Sequence, residues 1–248
     1  MNFSAFIFSI NTLIFALFVL KLKRVIEKEK ILRKIFKKSK ISSDIHLAEH
    51  FFNTIFILML SYAIFSVDLI FFSSNRELMR AVKIFGDLIL YFSFSYGISI
   101  PLSLKFPEIN RKKVVNILML LSVLFVVYQI FNYSVPPEII NGVIFWNLDP
   151  LIVAVILIFS LIVWFPTGFI FLLNGLKNRK EFTKSLFLSL SFFLISAFGP
   201  LALVTQNQLL TVFSLVLMVL GALFLFLGMF YKPIHQNVRL YDQSKKRH

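Results

Sequence analysis

The sequence predicts an all-α polytopic membrane protein: a single seven-transmembrane-helix bundle with the N-terminus outside and the C-terminus cytoplasmic. Three observations carry this. Hydrophobic residues make up 58% of the 248-residue chain and charged residues only 15%, with a mean hydropathy of +0.83, which is more apolar surface than a water-soluble fold can cover. Seven apolar stretches reach the roughly 20 residues that a helix rising about 1.5 Å per residue needs to cross a hydrocarbon core of about 30 Å. Lys and Arg concentrate in alternate connections, 23 against 3, and the positive-inside rule converts that asymmetry into an orientation.

The first span, 3–22, has no basic residues before it, carries Lys21 at its end and is followed by Lys23 and Arg24. It therefore reads as a retained, N-out anchor rather than a signal peptide. The segment 21–46 carries Lys21, Lys23, Arg24, Lys28, Lys30, Arg33, Lys34, Lys37, Lys38 and Lys40, with Val25, Ile26, Ile31, Leu32, Ile35 and Phe36 at helical spacing. That pattern predicts a basic amphipathic cytoplasmic helix lying on an inner leaflet rich in anionic lipid, where each basic side chain contributes ~1 kcal/mol. The same surface suits an acidic cytoplasmic partner.

Spans two to seven are read at 51–72, 82–104, 114–133, 151–173, 185–204 and 209–231, followed by a basic cytoplasmic tail at 232–248. Only Thr205, Gln206, Asn207 and Gln208 separate the last two, which together are far too long for one crossing, so they form a helical hairpin. Pro101, Pro166 and Pro200 mark kinks. Ser214, Gly221 and Gly228, spaced by seven, make a face for close helix approach.

Under this topology the cytoplasmic face holds a net charge of +16 and the outer face −2, which accounts for the formal +14. The basic balance then belongs to the membrane, and no nucleic-acid partner is expected. The absence of Cys excludes disulfides and thiolate metal sites. His46, Glu49 and His50 follow an inverted zincin order, but they sit at the inner boundary with no third ligand evident and read as residues capping the second span. No metal, cofactor or catalytic residue is expected, and the chain does not read as an enzyme.

Charge inside a span is costly, so function is sought there first. Asp68 and Asp87 lie at depth near the outer ends of adjacent spans, close enough to meet. Arg76, Arg80, Lys83 and Asp87 follow spacings of 4, 3 and 4, which put them on one helical face with Lys83 and Asp87 as an i, i+4 pair. These five residues are the candidate site for a polar or cationic ligand, or for a proton; a structural ion-pair network is the competing reading. Glu138, Trp146 and Asp149 are expected to complete an outer vestibule, and Gln129 and Asn132 to face it or the headgroups. Tyr91, Ser95, Ser99 and Ser103 recur at i+4, yet the 40° drift per step turns their row away, so the serines read as small packing residues.

The last span contains no Lys for a retinal Schiff base, and the paired motifs of G-protein-coupled receptors are missing from the ends of spans three and seven. In plan alone, the layout is similar to the seven-span sensor regions that precede some histidine kinases. The expected function is a receptor- or sensor-like module of the cell membrane, signalling to a separate cytoplasmic or membrane partner. A small proton- or cation-coupled transporter or channel using Asp68 and Asp87, and an accessory subunit of a membrane complex, are the alternatives.

Overall fold

The computed structural model describes residues 2–36, 43–133 and 135–230. Lys37, Lys38, Lys40 and the tail 232–248 lie outside them. The described elements are α1 (Phe3–Phe36), α2 (Ser43–Phe71), α3 (Arg76–Gly97), α4 (Ser99–Lys105), α5 (Arg111–Asn132), β1 (Glu138–Ile140), β2 (Val143–Phe145), α6 (Pro150–Lys177), a 3-10 turn (Arg179–Glu181), α7 (Phe182–Val204) and α8 (Gln208–Phe230). Seven helical segments are long and apolar enough to cross a membrane, α3 and α4 together making the third. The chain is an all-α, multi-pass membrane protein.

Local chemistry fixes the helix ends. Asn75 and Asn110 cap α3 and α5 by accepting from the backbone N–H groups of Leu78 and Lys113 at 3.0 and 3.2 Å, and Asp149 caps α6 with Pro150 in its first turn. Pro101 has no N–H to offer the Gly97 carbonyl, and the third span breaks there into α3 and α4. Pro200 leaves the Ser196 carbonyl similarly short of a donor, and the Ser160 hydroxyl of α6 supplies one at 3.0 Å. The polar tetrad is the expected turn, with Asn207 accepting from the Leu210 N–H at 3.0 Å to start α8.

Six spans form a closed ring: α1 packs on α2 and α8, α2 on α3, α3 and α4 on α6, α6 on α7, and α7 on α8. The fourth span, α5, sits outside this ring against α3, with its apolar window 22% buried against at least 39% for every other span. Aromatic rings fill the ring's interior. Trp164 stacks on Phe192 at 5.6 Å between centroids, and Phe192 on Phe171 at 5.9 Å. The small-residue face of α8 works as read: a methyl at Gly228 would stand 2.9 Å from the Leu188 amide nitrogen of α7, and one at Gly221 would stand 3.1 Å from Ile195.

Two features depart from the sequence reading. The connection between the fourth and fifth spans is not a plain loop: β1 and β2 pair antiparallel through Asn141 and Gly142, whose φ values of 50° and 78° make a two-residue hairpin turn. The basic segment after the first span is not a separate surface helix over its described length. It continues α1 without a break to Phe36, so that the helix runs 34 residues, about 51 Å at 1.5 Å per residue. An apolar core of about 30 Å leaves the last turns of such a rod projecting beyond the bilayer.

The hairpin folds back over one end of the bundle and is fastened to the start of α1. The Ser4 amide donates to the Gly142 carbonyl at 3.2 Å, the Ile144 amide to the Ser4 hydroxyl at 3.0 Å, and the Asn2 amide group to the Leu69 carbonyl at 3.2 Å. At the opposite, basic end, Lys30 of α1 pairs with Glu49 of α2 at 2.6 Å. Lys21 lies over the rings of Phe226 and Phe230 of α8 at 4.9 and 4.2 Å.

Candidate functional site

Beneath the hairpin, α2, α3 and α5 bring four polar side chains together with 0% exposure: Asp68, Lys83, Asp87 and Gln129. The Lys83 ammonium donates to both oxygens of Asp87 at 2.5 Å, the pair that i, i+4 spacing on one helix allows. From α5, the Gln129 amide group donates to Asp87 Oδ2 at 2.7 Å. Aromatic faces close the other sides of Lys83, with Phe65 at 5.2 Å and Trp146 at 5.0 Å from Nζ. The cation therefore sits between a carboxylate and two ring quadrupoles. Burial of this kind is tolerable only because the charge is compensated on its own helix and hydrogen-bonded from a second one.

Asp68 is different. It is close enough to Lys83 for the two charges to act on each other, yet neither of its oxygens accepts a hydrogen bond among the described residues. The two acids do not pair with one another, and Asp87 lies deeper. α3 begins at Arg76, so Asp87 is eleven residues, about 16 Å, from its start, whereas Asp68 is three residues from the end of α2. Gln129 Oε1 and Trp146 Nε1 are likewise buried without partners, which leaves four polar atoms unsatisfied on the residues around the Lys83 ammonium.

Above the cluster, the Tyr133 hydroxyl donates to the Trp146 carbonyl. Burial, and then the negative charges of Asp87 and Asp68, push that hydroxyl well above its ordinary range, so it stays a donor. Arg80 donates to the Tyr133 carbonyl at 3.2 Å and pairs with Glu77 at 2.7 Å, which spends its charge at the rim. Arg76 is exposed at the first residue of α3, two turns from Lys83. The structure thus gathers Asp68, Lys83 and Asp87, places Arg80 at the rim, and leaves Arg76 apart.

Glu138 and Asp149 are separated from the cluster. They line an open depression of about 470 Å³ with Asn132, Asn147, Leu148, Pro150 and Gln206. Chain neighbours connect the depression to the buried cluster: Asn132 precedes Tyr133, and Asn147 follows Trp146. Sequence reasoning missed Tyr133, and no spacing signal marks it. Its role arises only because the hairpin folds back.

The ten predicted lipid-facing basic residues divide. Lys21, Lys23, Arg24, Lys28 and Lys30 are exposed on α1, Lys21 and Lys30 engaged as described and Lys23 paired with Glu27 at 3.9 Å, while Arg33 and Lys34 fall on its helical backbone. In the zincin-like trio His46 Nδ1 lies 3.6 Å from Glu49, but Glu49 is taken by Lys30 at 2.6 Å, and Arg111 donates to His50 Nε2 at 3.3 Å and to the Ser103 hydroxyl at 2.8 Å. The serines tie helices together: Ser95 bonds Ser122 of α5 at 3.1 Å, and Ser93 the Thr54 carbonyl of α2 at 3.0 Å.

Fold and site together define a multi-pass membrane protein with a sealed intramembrane charge cluster at one end. Comparison with protein-family models, with curated proteins and with solved structures finds no match to this chain.

Proposed function

We propose that this protein is a receptor- or sensor-like module of the cell membrane, N-terminus outside and C-terminus cytoplasmic, signalling to a separate protein partner at its basic end. The observation that carries the reading is the chain link between the depression and the cluster. A small polar ligand seated against Glu138, Asn147 and Asp149 moves Asn147, and with it the next residue back, Trp146, which holds the Tyr133 hydroxyl and faces the Lys83 ammonium. The hairpin is bonded to the start of α1, and α1 is one unbroken helix that reaches past the opposite end. Displacement of the hairpin is therefore transmitted along a stiff rod to the basic surface, where anionic lipid and an acidic partner compete for the same lysines. Orientation rests on the 23-to-3 division of basic residues.

The test is affinity purification of the native protein from its own membranes in mild detergent, with mass spectrometry of what accompanies it. A stoichiometric partner with a signalling domain supports the reading. A lone monomer or homo-oligomer sinks it.

The unpaired Asp68 carboxyl favours a second reading, a proton- or cation-coupled transporter. On that reading, Asp68→Asn and Asp87→Asn abolish flux in proteoliposomes; unchanged flux in both variants removes it.

A further inference from the structure

The buried cluster holds two acids and one base. Asp68, Lys83 and Asp87 are all 0% exposed, so with every group ionised the site carries one uncompensated negative charge in a low-dielectric setting. The groups that could cancel it are few. Arg80 is committed to Glu77 and the Tyr133 carbonyl. Lys83 has both Asp87 oxygens at 2.5 Å. Tyr133 is neutral and donates to Trp146. Among the described residues, the start of α1 presents Asn2 and Ser4, both uncharged, and on β1 the Glu138 carboxyl faces the depression. Hydrogen bonding, including to water, satisfies lone pairs but does not remove a net charge, and an unpaired ion in such a place is strongly disfavoured.

We infer that Asp68 is a proton-binding carboxyl and that the hydrogen ion is the ligand of this sealed site. A proton needs no cavity, neutralises the excess charge, and sits on the acid of the cluster whose two oxygens lack partners among the described residues. When it leaves Asp68 for solvent, Lys83 is left to serve two carboxylates and is drawn from Asp87 towards Asp68. That movement shifts the ammonium across the Trp146 face, 5.0 Å away, and loosens the bond network that α5 supplies through Gln129. The inference deepens the sensory reading by naming an input, and rests on that reading only for what the proton triggers.

The test uses the full chain in lipid nanodiscs. Infrared spectroscopy at neutral pH is expected to show one protonated-carboxyl band that is lost in Asp68→Asn and kept in Glu138→Gln and Asp149→Asn. Trp146 fluorescence in a Trp164→Phe background is expected to titrate with pH, and to become flat when Asp68→Asn is added. A wild-type protein without the band, a band that survives Asp68→Asn, or a Trp146 signal that follows sodium or potassium at fixed pH overturns the inference. Spin labels at Lys23→Cys and Glu108→Cys, unique in a chain without Cys, separate the two ideas. A titrating band with no change in label distance keeps the proton site and ends the sensory reading; a pH-dependent distance without the band ends the proton site.

Discussion

Replacing Lys83 with methionine and Asp87 with leucine, singly and together, tests whether the cluster is held as two acids sharing one base. Lys83→Met leaves Asp68 and Asp87 sealed with no cation, and Asp87 with only the Gln129 bond at 2.7 Å. Removing one partner of a buried ion pair costs about 3–5 kcal/mol, two to three and a half orders of magnitude in the folding constant at about 1.4 kcal/mol per tenfold. Asp87→Leu is milder, about 1–3 kcal/mol, because Asp68 can give up its proton and become the counter-charge for Lys83, while the Phe65 and Trp146 faces still cradle the ammonium. The double variant should recover most of the loss and fall within about 2 kcal/mol of wild type, since an apolar pair fills the same space and Asp68, keeping its proton, adds no desolvated charge. Reversible unfolding in mixed micelles of rising denaturing-detergent fraction gives all four free energies. If Lys83→Met is the milder single change, or if the double variant loses the sum of the two, the shared-base account is wrong.

Three further outcomes follow from packing. Gly228→Ala places a methyl 2.9 Å from the Leu188 backbone nitrogen and should cost about 1–3 kcal/mol in the same unfolding assay, whereas Gly199→Ala, with nothing within 4 Å, should be neutral or stabilising. Ser160→Ala should cost on the order of 0.6 kcal/mol by removing the hydroxyl that serves the Ser196 carbonyl. That cost should vanish in a Pro200→Ala background, where the helix supplies its own donor; a double-mutant cycle measures it. Gly142→Val, at φ 78°, should strain the turn by about 1–2 kcal/mol and show as faster proteolysis between Asn132 and Asp149, with spans unaffected.

The spans were legible because crossing a bilayer demands a run of apolar residues that no local context hides. Helix ends were less so. The spacing of Arg76, Arg80, Lys83 and Asp87 already puts them on one helical face that extends the third span outward, and Asn75 at the cap position marks where α3 starts, six residues before the predicted span. Spacing along one helix does not say whether Asp87 reaches Asp68 on another. The Lys83–Asp87 pair is local, and spacing alone reveals it. Gln129 and Trp146 stood among the residues expected near the outer end, but nothing in their spacing identifies Asp87 and Lys83 as their partners, because that requires knowing that α5 leans on α3 and that residues 138–145 fold back. The second of these was readable: Asn141-Gly142 between two short apolar runs is a strong hairpin signal. The basic segment illustrates the opposite limit, since amphipathic spacing describes a face but not whether the helix bends at the membrane surface or continues straight.

The placement of α5 outside the ring has a mechanical meaning. It leans chiefly on one neighbour, α3, yet it delivers Gln129 to Asp87 and, one residue past its end, Tyr133 to both Trp146 and Arg80. A swing of this single helix would unfasten all of those bonds together and leave the six-span ring closed. The chamber's polar fastenings are thus carried by its least embedded wall.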